Sequence, residues 1–80
     1  MKIEEGKTYI LSDNQKYVAL KRFSFDNRVF VFLFNASDTP GFKFFEEAED
    51  NYTLVEDTKM LLKLTEFVRV DLNKIFTSKN

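Results

Sequence analysis

Between residues 16 and 35 the chain reads KYVALKRFSF, then Asp-Asn, then RVFVFLFN. Successive side chains of a strand point to opposite faces, so a half-buried strand alternates apolar and polar positions. The second of these runs breaks that rule. Phe30, Phe32 and Phe34 fall on one face, and Val29, Val31 and Leu33 make the other face apolar too. A strand that is apolar on both faces needs cover on both.

Three Asp-Asn pairs, at 13-14, 26-27 and 50-51, separate strand-like runs. Asn and Asp tolerate positive φ better than other non-glycine residues, which suits the primed turns of hairpins. Pro40-Gly41 adds the expected centre of a type II turn. The pattern predicts a meander of antiparallel strands near 7–12, 16–25, 28–35, 42–48 and 52–55. After residue 57 the period changes. Met60, Leu61, Leu64, Phe67, Val68, Leu72, Ile75 and Phe76 follow three- and four-residue spacing, the mark of an amphipathic helix. Asp57 is its expected N-cap, and Glu56 also lies near the positive end of the dipole, with Lys74 and Lys79 near the other end. Leu62 and Val70 fall off the stripe.

A two-residue turn at Asp26-Asn27 sets Phe25 opposite Arg28, Phe23 opposite Phe30, Lys21 opposite Phe32 and Ala19 opposite Phe34. Cross-strand partners share a face. Tyr17, Ala19, Phe23, Phe25, Phe30, Phe32 and Phe34 then form an aromatic surface. Val18, Leu20, Val29, Val31 and Leu33 form an aliphatic one, with Arg22 and Ser24 within it. The single helix is assigned to the aromatic surface, which has more area to hide. The aliphatic surface is left to Ile3 and the N-terminal segment, to sheet curvature, or to another chain. The expected fold is α+β: one small domain over 1–80, with a curved meander of about five strands and a C-terminal helix on one face.

Composition narrows the function. With 80 residues, such a chain buries only about 60–65% of its unfolded surface. Ten phenylalanines supply the core, since aromatic rings bury large areas each. Neither cysteine nor histidine is present, so disulfides, the commonest transition-metal ligands and the usual neutral-pH general base are all missing. The net charge of −1 is not the basic footprint of a nucleic-acid binder. Charge is uneven, however. Residues 43–57 carry Glu46, Glu47, Glu49, Asp50, Glu56 and Asp57 against Lys43 alone. No long apolar run or signal-peptide pattern stands out, and a cytoplasmic location is expected.

Each candidate chemistry has a plainer explanation. RVFVFLF places Arg28, Phe30 and Phe32 where an RNA-recognition strand wants a basic residue and two base-stacking rings. Val29 and Val31 stand where that motif wants small residues, and a tight hairpin replaces the expected helix. Structural core is the better reading. The acids 46–50 lack the oxygen spacing and turn glycine of a calcium loop. Ser12, Ser24 and Ser37 have no histidine to activate them, and Gly6 and Gly41 are too far apart for a phosphate loop. Lys21 and Arg22 can lay their stems on apolar surface with their heads in water. Arg22 can also receive an anion or a partner's carboxylate.

The run KYVALKRFSFDNRVFVFLFN, followed by a polar turn, a further strand and a helix beginning VEDTKMLLKL, resembles small uncharacterised proteins of low-GC Gram-positive bacteria and their mobile elements. The resemblance covers roughly residues 7–70. It implies a β-meander with a C-terminal helix and a bacterial origin, and supplies no site residues. Asn27 stands where those proteins carry a turn glycine.

These observations point to a non-enzymatic protein-interaction module without cofactor or metal. It is a homodimer or a small adaptor or inhibitor, with partner-binding residues Val18, Leu20, Arg22, Val29, Val31 and Leu33. The alternative is a nucleic-acid-binding domain using aromatic and basic residues of the sheet.

Overall fold

The hairpin at Asp26-Asn27 is the clearest feature of the computed structural model, which describes residues 2–37 and 41–77, with side chains in the helix as far as Val70. Both turn residues have positive φ, 55° and 61°, as a two-residue primed turn requires. The strands are β1 (Thr8–Ile10), β2 (Lys16–Phe25), β3 (Arg28–Asn35), β4 (Phe42–Ala48) and β5 (Asn51–Leu54), followed by the helix α1 (Thr58–Thr77). They form one antiparallel sheet in the order β1-β2-β3-β4-β5, curled into a half-barrel. The expected Pro40-Gly41 turn lies outside the described residues, as do the side chains of Leu72, Lys74, Ile75, Phe76 and Lys79.

One expectation needs correction. Near the hairpin turn the register is as anticipated: Phe25 faces Arg28, Phe23 faces Phe30 and Lys21 faces Phe32. Beyond Lys21 a β-bulge intervenes, and Ala19 faces Leu33, not Phe34. An extra residue on one strand reverses every side chain beyond it. Tyr17 and Ala19 therefore belong to the aliphatic side of the sheet, and Val18 opposes Phe34. Leu20, at the bulge, is exposed. The bulge also bends β2, because it increases local twist.

Two cores result. On the helix side Phe23, Phe30, Phe32 and Phe44 pack with Leu64 and Val68, and Phe25, Val55, Met60 and Leu61 flank them. The helix starts as anticipated: Asp57 accepts from the Met60 N–H, and its carbonyl accepts from the Leu61 N–H. Leu62 and Val70 are exposed. On the inner side Ile3, Tyr17, Ala19, Val31 and Leu33 are buried, with Tyr9, Leu11, Phe45 and Tyr52 against them.

The segment before β1 closes this second core. Ile3 is 1% exposed. Its N–H donates to Tyr52 Oη (3.0 Å), the Glu4 N–H donates to Tyr9 Oη (2.8 Å), and the Gly6 N–H donates to the Ala19 carbonyl (2.7 Å). Gly6 has φ +85°, where a side chain would be strained. Curvature and an N-terminal strap thus cover the aliphatic side within one chain.

Candidate functional site

The six residues expected to form an aliphatic interface do not share one surface. Val31 and Leu33 are fully buried, Val18 and Val29 are half-buried, and Leu20 is exposed at the bulge. Arg22 reaches the carboxylate of Glu47 in the same chain. That carboxylate also accepts from the Tyr52 hydroxyl (3.0 Å), while the Glu5 carboxylate accepts from the Arg22 backbone N–H. The anion that Arg22 invites is supplied internally, and it ties the strap to β2, β4 and β5. Burial of the Tyr52 ring, followed by its bond to Glu47, raises that phenol's pKa.

Arg28, Phe30 and Phe32 are not presented as a stacking platform either. Phe30 is fully buried and Phe32 nearly so. Arg28 lies over the Phe30 ring, 5.3 Å from its centroid, and forms a two-pronged bond to Glu46 (2.9 and 2.6 Å). That bond lowers the Glu46 pKa and raises that of Arg28. The acids 46 and 47 are thus spent on arginines from opposite sides of the sheet. Among the described residues no three acidic side chains converge to hold a metal ion.

What the molecule does expose is the far end of the aromatic face. Ring contacts run from Phe67 on the helix through Phe23 and Phe44 to Phe42, each 5.3–6.1 Å between centroids. Both ends of this line are open to solvent, Phe67 at 38% exposure as well as Phe42, and its middle is buried. Phe44 is fully covered, whereas Phe42 is 47% exposed and its cross-strand partner Phe34 is 44% exposed. The helix crosses the middle of the aromatic face and leaves this end open. Beside it, an apolar groove of about 540 Å³ runs between β4, the end of β5 and the first turns of α1. Phe42, Phe44, Leu54, Val55, Leu61 and Leu62 line it.

Of the acidic segment, Glu56 lies at the groove, while Glu49 and Asp50 lie at the other end of the β4–β5 hairpin. Chain reversal between β4 and β5 occurs at Glu49-Asp50, because Ala48 pairs with Asn51. This is one residue earlier than the Asp50-Asn51 pair proposed it, and Glu49 takes the positive φ (58°). Glu49, Asp50 and Glu56 are exposed. The basic residue of the segment, Lys43, turns to Asp13 (3.9 Å) and the Tyr17 ring.

Sequence reasoning missed the groove because it assumed that the helix hides the whole aromatic surface. The signal available was length: β3 and β4 carry rings over more of the sheet than one helix, about 10 Å wide, covers. No helix of the described residues is long and apolar enough to cross a membrane. Comparison with protein-family models, with curated proteins and with solved structures finds no match to this chain.

Proposed function

We propose that this domain is a non-enzymatic protein-interaction module that binds through the open end of its aromatic face. The observation that carries the reading is the pairing of half-exposed Phe34 and Phe42 with the adjoining apolar groove. Phe residues held on rigid strands cost little entropy to bury again. Contiguous apolar surface of this kind marks interaction sites in soluble domains. The nucleic-acid alternative has less support. Its aromatic residues lie beneath the helix, Arg28 is held by Glu46, and the strand nearest the groove is bracketed by acids that repel phosphate.

The test is a photo-crosslinking residue, p-benzoylphenylalanine, in place of Phe42, with the same residue at Arg69 as a control. In the cells that make the protein, the position-42 probe is expected to give a discrete protein adduct absent from the control. No adduct above the control contradicts the reading, and a nuclease-sensitive adduct supports the alternative instead.

A further inference from the structure

Strand β5 is an edge of the sheet, and among the described residues its outward backbone is unpaired. In an antiparallel ladder, inward- and outward-directed backbone groups alternate. The Val55 N–H donates to the Phe44 carbonyl (2.9 Å), so Asn51, Thr53 and Val55 turn their polar groups to β4. Tyr52 and Leu54 then turn theirs outward. Natural edges of this kind are usually blunted by lysine, proline or a covering element. This one is bracketed by acids: Glu49 and Asp50 before it, Glu56 after it. Among the described residues none of the three has an ion pair or side-chain hydrogen bond, in contrast to Glu46 and Glu47. The apolar groove begins where β5 ends, with Leu54 and Val55 on one wall.

We propose that the outer edge of β5 is a docking strand for an extended segment of a protein partner, with an apolar centre and basic residues at both ends. The inference rests on the interaction reading above and names the chemistry of its partner. Backbone groups of the segment pair with Tyr52 and Leu54, as in β-strand addition. An apolar side chain enters the groove against Phe42, Leu54 and Leu62. Basic side chains meet Glu49 and Asp50 at one end and Glu56 at the other, giving the edge a partner sign that self-pairing lacks. A second copy of β5 would bring the same three acids together, and like charges across an interface oppose that pairing.

The experiment titrates isotope-labelled full-length protein with capped synthetic peptides followed by amide chemical shifts. One peptide has a valine–phenylalanine centre flanked by lysine pairs. A second has the same centre flanked by glutamate pairs, and a third is the lysine peptide N-methylated at alternate amides. The lysine peptide is expected to shift the Tyr52, Leu54 and Leu61 amides and to bind at least about tenfold tighter than the glutamate peptide at low salt. N-methylation is expected to abolish binding. The triple variant Glu49→Lys, Asp50→Lys, Glu56→Lys, checked for an unchanged circular dichroism spectrum, is expected to reverse the preference. Equal binding of both flanked peptides, shifts confined away from β5, or indifference to N-methylation overturns the docking strand. So does a concentration-dependent dimer through β5. In those cases a position-42 adduct still stands for the interaction reading. Failure of the crosslink together with lysine-peptide binding overturns the open aromatic end and keeps the edge.

Discussion

The two sides of β3 solve the same problem with different materials. On the helix side, Phe30 and Phe32 pack in one cluster with Leu64 and Val68 of an element from the far end of the sequence, and that element's Phe67 stacks on Phe23. On the inner side, Val31 and Leu33 are covered by a bend in the sheet and by the strap carrying Ile3. Large rings need a broad lid; small aliphatic groups need only curvature and a plug. The broad lid also falls short at one end, which leaves Phe34 and Phe42 open, while Ile3, Ala19, Val31 and Leu33 on the inner side are buried. Two consecutive acids echo the division. Glu46 joins Arg28 on one side, and Glu47 joins Arg22 and Tyr52 on the other.

The largest effect is expected from Val31→Lys on the inner side. An unpaired charge forced into the inner core costs several kcal/mol, comparable with the whole stability of a domain this small. Loss of the folded circular dichroism signal is expected, whereas a folded, monomeric variant would return Val31 to a surface. Phe32→Ala and Ile3→Ala then weigh the two lids against each other. A truncated buried Phe costs about 3–5 kcal/mol and a truncated Ile about 2–5. Both losses are expected in denaturant titration. A cost below about 1 kcal/mol for Ile3→Ala would mean that the strap is ornament and curvature alone closes the inner side.

The position of each strand was legible from alternation and turn residues, and three strands match to the residue. The division of side chains between faces was legible only up to Lys21. A bulge is set by how a long strand bends against its neighbours, and nothing in VALK marks the extra residue. The fate of Arg22 was half legible: an anion was one of its two readings, beside a stem on apolar surface with its head in water, but the answering Glu47 depends on β4 folding back across β3. The open groove was hidden for a related reason, since helix placement over a sheet is a tertiary outcome that periodicity does not specify.

The two carboxylates sharpen the contrast at smaller magnitude. Glu47→Gln weakens the bond to Arg22 and loosens the strap, so hydrogen exchange at the Ile3 amide is expected to accelerate. Glu46→Gln should leave that amide unchanged. Acid titration distinguishes Glu46 in another way. Its folded pKa lies below the unfolded value because of Arg28, so its contribution is present above the ordinary glutamate range and is lost as pH falls through the depressed value. Glu46→Gln is expected to flatten that acid limb of the stability curve by a small amount, as suits a partly exposed pair. An unchanged acid limb would detach Arg28 from Glu46.

The mildest tests concern the turns that set the register. Asn27→Gly and Glu49→Gly relieve positive φ and are each expected to stabilise by up to about 1 kcal/mol, more for Glu49, since glutamate is less tolerant of that region. A clear loss at Asn27 would show the hairpin misregistered, and with it the assignment of rings and aliphatic groups to their sides.

In this fold one chain covers both faces of its own sheet. The most direct measurement is a nuclear Overhauser spectrum recorded from the Ile3 methyl groups in a sample shown monomeric by sedimentation. Cross-peaks to the methyls of Ala19, Val31 or Leu33 are predicted, and they should persist on dilution. Their absence, or their appearance only between differently labelled chains in a mixed sample, would contradict the strap and return the inner face to a partner.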